Sequence, residues 1–369
     1  MNRVGVAELP LHGGKCPPWL FARMVRLGGA ITDIIVREHS GDEFLRRLAD
    51  PFFFQSLGCV LGFDFHSSGL TTTTMGALKE AISPEKIGIA ICGGKGKASK
   101  NTPLEIEKIA DTFSLSTQRI DELKYASRMA AKVDNACVQD GYQLYHHTFV
   151  LGENGNWAVV QQGMHNRMAR RYHWLSQGVR SFVDEPHSGI IGQRTEEFAL
   201  DMTARLSEET RKASVDIVRE NPRTLLRQVR EVGQRCLDEY FGKGSPVMKL
   251  VMQKPHHIMW LTKPTAEALK KAYELQPSCY EELVAIRGIG PTAVRALALV
   301  SELIYGKAPS WKDPVKFSFA HGGKDGIPYP VNRATYQKTI EILESSIEGA
   351  KIGNREKLNA IRRLRNFIQ

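Results

Sequence analysis

The stretch 283-LVAIRGIGPTAVRAL-297 decides the C-terminal half of the chain, because it predicts a short helix, a Gly-Ile-Gly turn and a second helix. Gly288 and Gly290 permit backbone conformations that other residues resist. Pro291 suits the first turn of the second helix, where no amide donor is required. The amides of the turn and the positive end of the second helix then form an anion site. Such contacts hold the phosphates of a nucleic acid without reading its sequence.

This pattern is typical of a helix-hairpin-helix DNA-binding motif, which we predict over residues 281–304. The alternative is an αα-hairpin with a glycine turn that binds no ligand. The net charge of +10 favours a polyanionic partner, and thus the first interpretation. The predicted phosphate contacts are the turn and the side chains beside it, namely Arg287, Gly288, Ile289, Gly290, Thr292 and Arg295.

The composition is that of a globular protein, and 369 residues suffice for two or three domains. Six cysteines are scattered without a CxxC pair, which argues against a disulfide framework or a cysteine-rich zinc site. Reduced cysteines predict a cytoplasmic location. No apolar run reaches the roughly 18 residues that a membrane span requires, so no membrane partner is expected.

The first part of the chain mixes strand-like and helical patterns. Apolar runs at 59–65 and 86–92 predict buried strands, and Asn154-Gly155 predicts the turn of a β-hairpin. From 195 to 241 the pattern is almost entirely helical, with a new helix start at Pro222. We therefore predict three parts, which are an N-terminal α/β domain with a mixed sheet and helices (1–190), a helical connector (191–244) and an all-α DNA-binding domain (245–369).

Asp64 and His66 come directly after the predicted strand at 59–65. The ends of strands in α/β sheets are the usual place for ligands. A carboxylate and an imidazole at this position can bind a metal or a phosphate. The alternative is that the small polar residues of this segment only satisfy loop amides and cap a helix.

A glycine-rich segment, Gly93-Gly94-Lys95-Gly96-Lys97, follows the second predicted strand. Its amides, with Lys95 and Lys97, can cradle phosphates as a nest. The spacing does not match a Walker A motif, which argues against a nucleoside triphosphatase. A solvated loop whose lysines make nonspecific phosphate contacts is the alternative.

The third cluster lies in the predicted hairpin. Alternate side chains of a strand share one face, so one of His146 and His147 can face a site together with one of Gln161 and Gln162. Imidazoles suit Mn, Zn or Fe, and nearby arginines suit a phosphate that is being cleaved. The arginines that follow the hairpin are Arg170 and Arg171. Asp184 and His187 form a weaker candidate with the same ligand chemistry.

Several segments together resemble a prokaryotic family of unknown function, whose members join such an N-terminal region to a helix-hairpin-helix. The resemblance implies the domain organisation and assigns no reaction. The segments are Phe63 to Gly69, Gly93 to Lys97, Leu144 to Phe149, Trp157 to Met164 and Arg170 to Trp174.

The C-terminal part also resembles, more loosely, the helix-hairpin-helix of base-excision glycosylases. That resemblance places Asp313 where those enzymes have an acidic residue. The segment Gly290 to Ala293 has no lysine where the bifunctional members place their nucleophile, so the resemblance leaves only a monofunctional mechanism.

The leading functional hypothesis is a metal-dependent DNA endonuclease, or a related enzyme that processes phosphodiesters in single-stranded, duplex or branched DNA. A divalent metal, Mn or Mg, would polarise the phosphodiester and activate water. A noncatalytic adaptor for damaged or branched DNA is the second hypothesis, and a monofunctional glycosylase that uses Asp313 is the third. The predicted metal ligands are Asp64, His66, His146 and His147, and the remaining catalytic candidates are Gln161, Arg170 and Arg171.

Overall fold

The computed structural model describes residues 16–63, 69–192, 195–240, 262–315 and 333–368. The helices are, in chain order, α1 (Pro18–Glu38), α2 (Gly41–Leu48), α3 (Pro51–Leu61), α4 (Gly69–Ala81), α5 (Pro84–Ile87), α6 (Lys97–Lys100), α7 (Thr102–Thr112), α8 (Thr117–Ala136), α9 (Glu208–Arg219), α10 (Pro222–Tyr240), α11 (Lys263–Leu275), α12 (Tyr280–Ala285), α13 (Pro291–Leu303), α14 (Arg333–Gly349) and α15 (Asn354–Ile368). The strands are β1 (Ile89–Lys95), β2 (Val138–Gln139), β3 (Gln143–Gly152), β4 (Trp157–His165), β5 (Met168–Leu175), β6 (His187–Ile191) and β7 (Leu200–Asp201).

Five strands form one sheet in the order β1-β3-β4-β5-β6, and β2 pairs with β7 in a second, two-stranded sheet. The predicted hairpin is confirmed, because β3 and β4 pair on either side of Asn154-Gly155 and Gly155 has φ +82°. The prediction of a mixed sheet is wrong for the described strands, since every pair among them is antiparallel. The argument that ligands bind at the ends of parallel strands therefore does not apply here.

The five-stranded sheet is covered on both faces, and alternate residues of its strands enter two hydrophobic cores. Phe149 and Val159 pack in the first core, with α8 and the helices from α9 to α13. Val150 and Val160 pack in the second core, with the helices from α1 to α4 and with α14 and α15. The central helix α8 thus lies between the sheet and the C-terminal helical region.

The strand predicted at 59–65 is wrong, because its first residues belong to α3. Asp50 caps this helix by accepting hydrogen bonds from the amides of Phe52 and Phe53, and Pro51 occupies its first turn. Gly62 ends it in the left-handed conformation, with φ +101°. The helix is buried on nearly all sides, so its sequence is apolar all round and has no helical periodicity to distinguish it from a buried strand.

The hydrophobic cores extend across the predicted domain boundaries. Helices α9 to α13 share a core with α8 and one face of the sheet. Helices α14 and α15 instead contact α1 and α3, near the start of the chain. The division at residues 190 and 244 therefore stays a prediction, and the structure supports the coarser description of an antiparallel sheet surrounded by helices.

The segment predicted as helical from 195 to 241 begins with β7 and continues with α9 and α10. The predicted new helix start at Pro222 is confirmed, since α10 begins there. The predicted linker at 242–246 lies outside the described residues, as do His256 and His257. None of the described helices is long and apolar enough to cross a membrane.

Candidate functional site

Helix α8 places polar side chains on both of its sides. Ser127 and Asp134, seven residues apart and therefore on one face of the helix, are buried against the sheet. Arg128 is exposed and Lys132 is half-buried on the outer side. Sequence reasoning missed Ser127 and Asp134, although their seven-residue spacing, two turns of a helix, is visible in the sequence.

A chain of hydrogen bonds leads from Ser127 into the core. Ser127 Oγ lies 2.9 Å from Nε2 of His147, and Nδ1 of His147 lies 2.7 Å from Oε1 of Gln161. The amide nitrogen of Gln161 donates to Asp134 Oδ2 at 2.5 Å and to the carbonyl of Ala130 at 3.1 Å. His147 and Gln161 are opposite each other in the β3–β4 ladder and therefore on the same face of the sheet. This agrees with the prediction that one histidine and one glutamine of the hairpin share a face.

These contacts fix the proton positions. Asp134 and the Ala130 carbonyl are both acceptors, so Gln161 must direct its nitrogen to them and its oxygen to His147. His147 Nδ1 therefore carries a hydrogen. Burial lowers the pKa of His147 and keeps it neutral, although the hydrogen bond to Gln161 and the charge of Asp134 oppose this shift. Nε2 is then an acceptor, and the hydroxyl of Ser127 donates to it.

Asp134 is the fixed end of this chain. Its carboxylate also accepts from the indole nitrogen of Trp174 at 3.0 Å and contacts Nε2 of His187 at 2.5 Å. His187, a weaker candidate from the sequence, thus supports this carboxylate. Asp184, its predicted companion, pairs instead with Arg211 at 2.8 Å.

A cavity of about 360 Å³ opens beside Ser127. It is large enough for a nucleotide-sized ligand. Lys100 and Arg128 contribute positive charge, and none of the described residues that line the cavity is acidic. The lining consists of Ser99, Lys100, Thr102, Pro103, Ser127, Arg128, Ala131, Leu144, Tyr145, His146 and His147.

His146 lies on the opposite face of β3 from His147, opposite Lys95 and Gln162 in the ladders. Its side chain is buried, and neither ring nitrogen has a hydrogen-bond partner in the described parts of the chain. Burial, together with the neighbouring His147 and Lys95, lowers the pKa of His146 to about 3. A neutral imidazole with two unpartnered nitrogens is chemically suited to bind a metal.

Arg171 is buried on the same face as His146. Its guanidinium donates to Gln55 at 3.0 Å and to His173 at 2.9 Å, and it lies 4.6 Å from the centre of the Phe54 ring. Burial lowers the pKa of Arg171 to about 9. The predicted role of Arg171 at a phosphate stays a prediction, but these contacts already hold it within the core.

Arg170, predicted to contact a phosphate, is paired with two buried carboxylates instead. It donates to Asp140 at 2.7 Å and to both oxygens of Asp313, at 2.9 and 2.8 Å, and all three side chains are fully buried. Burial alone would lower the pKa of Arg170, but the two carboxylates raise it above its usual range. The geometry thus disagrees with a catalytic Arg170. It also disagrees with the glycosylase alternative, because the carboxylate of Asp313 is already bound to Arg170.

The glycine-rich segment is part of β1 and of the turn after it. The amide of Gly93 donates to Glu105 at 2.8 Å, and the amide of Gly96 donates to the carbonyl of Tyr145 at 2.8 Å. These two amides are therefore satisfied within the protein and are not available to the predicted phosphate nest. Lys95 and Lys97 are exposed, so their predicted phosphate contacts remain sterically open.

The segment 283–297 has helices at the predicted positions, α12 and α13, joined by a glycine turn. Gly288 has φ +101°, a conformation that favours glycine. Arg287 and Gly288 are exposed, whereas Ile289 is buried. Gly290 is the N-cap of α13, and no described side chain caps its first turn. The use of this hairpin in DNA binding stays a prediction.

Two other predicted hairpin contacts differ in accessibility. Thr292 is half-buried in the first turn of α13. Arg295 is also half-buried, and its Nε donates to Gln139 at 2.7 Å. Gln139 in turn donates to the carbonyl of Pro291 at 2.8 Å, so Arg295 helps to fix the hairpin against the end of α8.

Helix α8 connects the cavity to the hairpin. Lys100 and Arg128 line the cavity. Lys132 lies on α8 one turn after Arg128, about 6 Å from it. Lys132 Nζ donates to the carbonyl of Ile286 at 2.6 Å, next to the exposed Arg287. We call this row the cationic stripe, and define it as Lys95, Lys97, Lys100, Arg128, Lys132 and Arg287.

The structure describes two of the four predicted metal ligands, His146 and His147. Asp64 and His66 lie outside the described residues. His147 already uses both ring nitrogens, so only His146 of the described pair is open to a metal. Within the described ranges, no group of three or more histidine, cysteine, aspartate or glutamate residues has the geometry of a metal site.

The buried His146 predicts a pH effect on stability. The unfolded chain binds a proton on this residue below about pH 6.5, whereas the folded chain does not until about pH 3. Stability should therefore fall as the pH falls below 6.5, by about 1.4 kcal/mol per pH unit for this group. Between pH 7 and pH 5, the free energy of unfolding of His146→Gln should fall by about 2 kcal/mol less than that of the parent. Urea unfolding at the two pH values measures both changes.

His39 supplies the control for this measurement, because it is an exposed histidine at the end of α1. The variant His39→Gln should show the same pH dependence as the parent. If His146→Gln and the parent lose equal stability between pH 7 and pH 5, His146 is not held neutral by the fold.

A family profile described as "Protein of unknown function (DUF763)" matches residues 5–331. No curated protein and no solved structure matches the chain.

Proposed function

This chain belongs to the DUF763 family of proteins of unknown function, and we propose that it binds the sugar-phosphate backbone of DNA along the cationic stripe. The observation behind the proposal is that Lys97, Lys100, Arg128 and Arg287 are exposed and make no ion pair within the described part of the chain. Many other surface cations of this protein are paired, for example Arg37 with Asp33 at 2.8 Å. Unpaired cations in a row favour a polyanionic ligand.

The glycine turn adds backbone donors to the end of the stripe. The first turn of α13 has no side-chain cap among the described residues, and uncapped amides at a helix N-terminus can donate to an anion. Arg287 is exposed in the glycine turn that precedes α13. This combination supports phosphate contacts that do not depend on base sequence.

The test compares the DNA affinities of two variants, in each of which one arginine is replaced by glutamate. Arg287→Glu reverses a charge in the stripe. Arg219→Glu is the control, because Arg219 is exposed at the end of α9. Its neighbour Glu220 lies 3.5 Å from Tyr305, beyond the C-terminus of α13. Helix α13 has 13 residues, so the control lies about 20 Å from the glycine turn.

We expect Arg287→Glu to weaken binding to single-stranded, duplex and branched DNA about tenfold or more, and to reduce the slope of log affinity against log salt by about 1. Arg219→Glu should bind as the parent does. Fluorescence anisotropy at several salt concentrations measures both quantities. Equal affinities for Arg287→Glu and the parent, or an equal loss in both variants, would contradict the proposal.

The same mixtures test whether bound DNA is processed. We propose that a divalent metal, Mn or Mg, assists cleavage of phosphodiesters, with His146 as the described ligand candidate and Asp64 and His66 as its predicted companions. The unpartnered nitrogens of His146 support this part of the proposal. Cleavage with metal and none with EDTA would favour the nuclease. Binding without cleavage under every condition would favour the adaptor.

A further inference from the structure

We propose that Ser127 is a nucleophile that attacks phosphorus, with His147 as its general base and Gln161 as a positioning residue. The substrate class, a phosphate ester of DNA, rests on the proposed function. The hydrogen bonds among Ser127, His147 and Gln161 do not depend on that function. An acceptor nitrogen of a neutral imidazole receives the hydrogen bond of a serine hydroxyl, and the other ring nitrogen donates to a fixed acceptor.

The hydrogen-bond chain provides the orientation that such a pair requires. In a serine-histidine pair, a third group must hold the imidazole in one tautomer. Here Gln161 takes that place, and Asp134 and the Ala130 carbonyl prevent its amide from turning over. The described structure shows no other hydrogen-bond partner for the Ser127 hydroxyl. The serine is thus oriented toward a single proton acceptor.

The cavity supplies room and charge for the substrate. Ser127 and His147 line it together with Lys100 and Arg128. Positive charge beside the nucleophile offsets the negative charge that develops on phosphoryl oxygens. The absence of acidic residues from its described lining favours an anionic substrate over a cationic one.

The reaction balances with water as the second substrate. Oγ of Ser127 bonds to phosphorus while its proton passes to Nε2 of His147. The bond from phosphorus to the leaving alkoxide breaks, and that oxygen takes the proton from Nε2. Water then attacks phosphorus and gives its proton to Nε2. The Oγ–P bond breaks, and Oγ recovers the proton.

A fluorophosphonate reagent tests the nucleophile without DNA and in the presence of EDTA. Labelling forms the Oγ–P bond, breaks the P–F bond and releases fluoride. We expect mass spectrometry to locate the adduct on Ser127. The adduct should be absent in Ser127→Ala, and labelling should be at least about a hundredfold slower in His147→Gln. No adduct on Ser127, or an equal rate in His147→Gln, would overturn the inference.

Ser278→Ala is the control, because Ser278 is an exposed serine outside the cavity and its hydroxyl donates to Glu282 at 2.8 Å. It should be labelled at the parent rate. Labelling requires no DNA, and DNA affinity is measured without the reagent, so the inference and the proposed function can fail separately. Loss of labelling in Ser278→Ala would contradict the assignment of Ser127.

Discussion

Replacing Arg170 with methionine is expected to lower the free energy of unfolding by about 3–5 kcal/mol. Arg170 is fully buried between Asp140 and Asp313 and donates to both carboxylates. Its removal leaves two negative charges in the core without their cation. The tyrosine hydroxyl of Tyr172 donates to Asp140 at 2.7 Å, but a neutral donor cannot offset this charge. Urea unfolding at pH 7 measures the loss.

Two further variants separate the charge from the packing. Arg219→Met removes an exposed arginine and should change stability by no more than about 0.5 kcal/mol. The triple variant Asp140→Asn, Arg170→Met, Asp313→Asn removes the cation and both carboxylates, and should recover part of the stability lost in Arg170→Met. If the triple variant is less stable than Arg170→Met, uncompensated charge is not the cause of the loss.

Replacing Asp134 with alanine is expected to lower the free energy of unfolding by at least about 3 kcal/mol. Each buried donor that loses its acceptor costs about 1–3 kcal/mol. Asp134 accepts from Gln161 and Trp174 and contacts His187 in the core. Alanine removes the acceptor for all three groups and also leaves a cavity. Thermal and urea unfolding both measure the change.

Two control variants, Asp121→Ala and Asp134→Asn, are compared with Asp134→Ala. Asp121→Ala changes an exposed aspartate of the same helix and should alter stability by no more than about 0.5 kcal/mol. Asp134→Asn keeps one acceptor oxygen and should lose less than Asp134→Ala. Equal stability of Asp134→Ala and Asp121→Ala would show that the buried network contributes no net stability.

The sequence predicted those elements whose signals are local. Alternation on either side of Asn154-Gly155 predicts β3 and β4, and both are present. The glycine turn and its flanking residues in 283–297 predict α12 and α13, and both are present. The failure at α3 has a local cause too. Asp50, Pro51 and Gly62 are helix-end signals, but the apolar run at 59–65 favoured a strand.

The candidate site could be predicted only in part, because tertiary contacts decide which polar groups meet. The facing of His147 and Gln161 follows from alternation within one hairpin. Their contacts with Ser127 and Asp134 require α8 to pack on the sheet, which no local pattern specifies. Arg170 and Arg171 are adjacent in sequence, yet alternation sends them to opposite faces and into different contacts.

The packing of α14 and α15 against α1 and α3 determines when the chain can finish folding during synthesis. Leu343 and Leu364 are completely buried in the same core as Met24 and Phe53. Helices α1 and α3 leave the ribosome before α14 and α15, so their apolar surface stays exposed until these later helices emerge. A nascent chain of this protein should need a chaperone that covers this apolar surface until α14 and α15 have emerged.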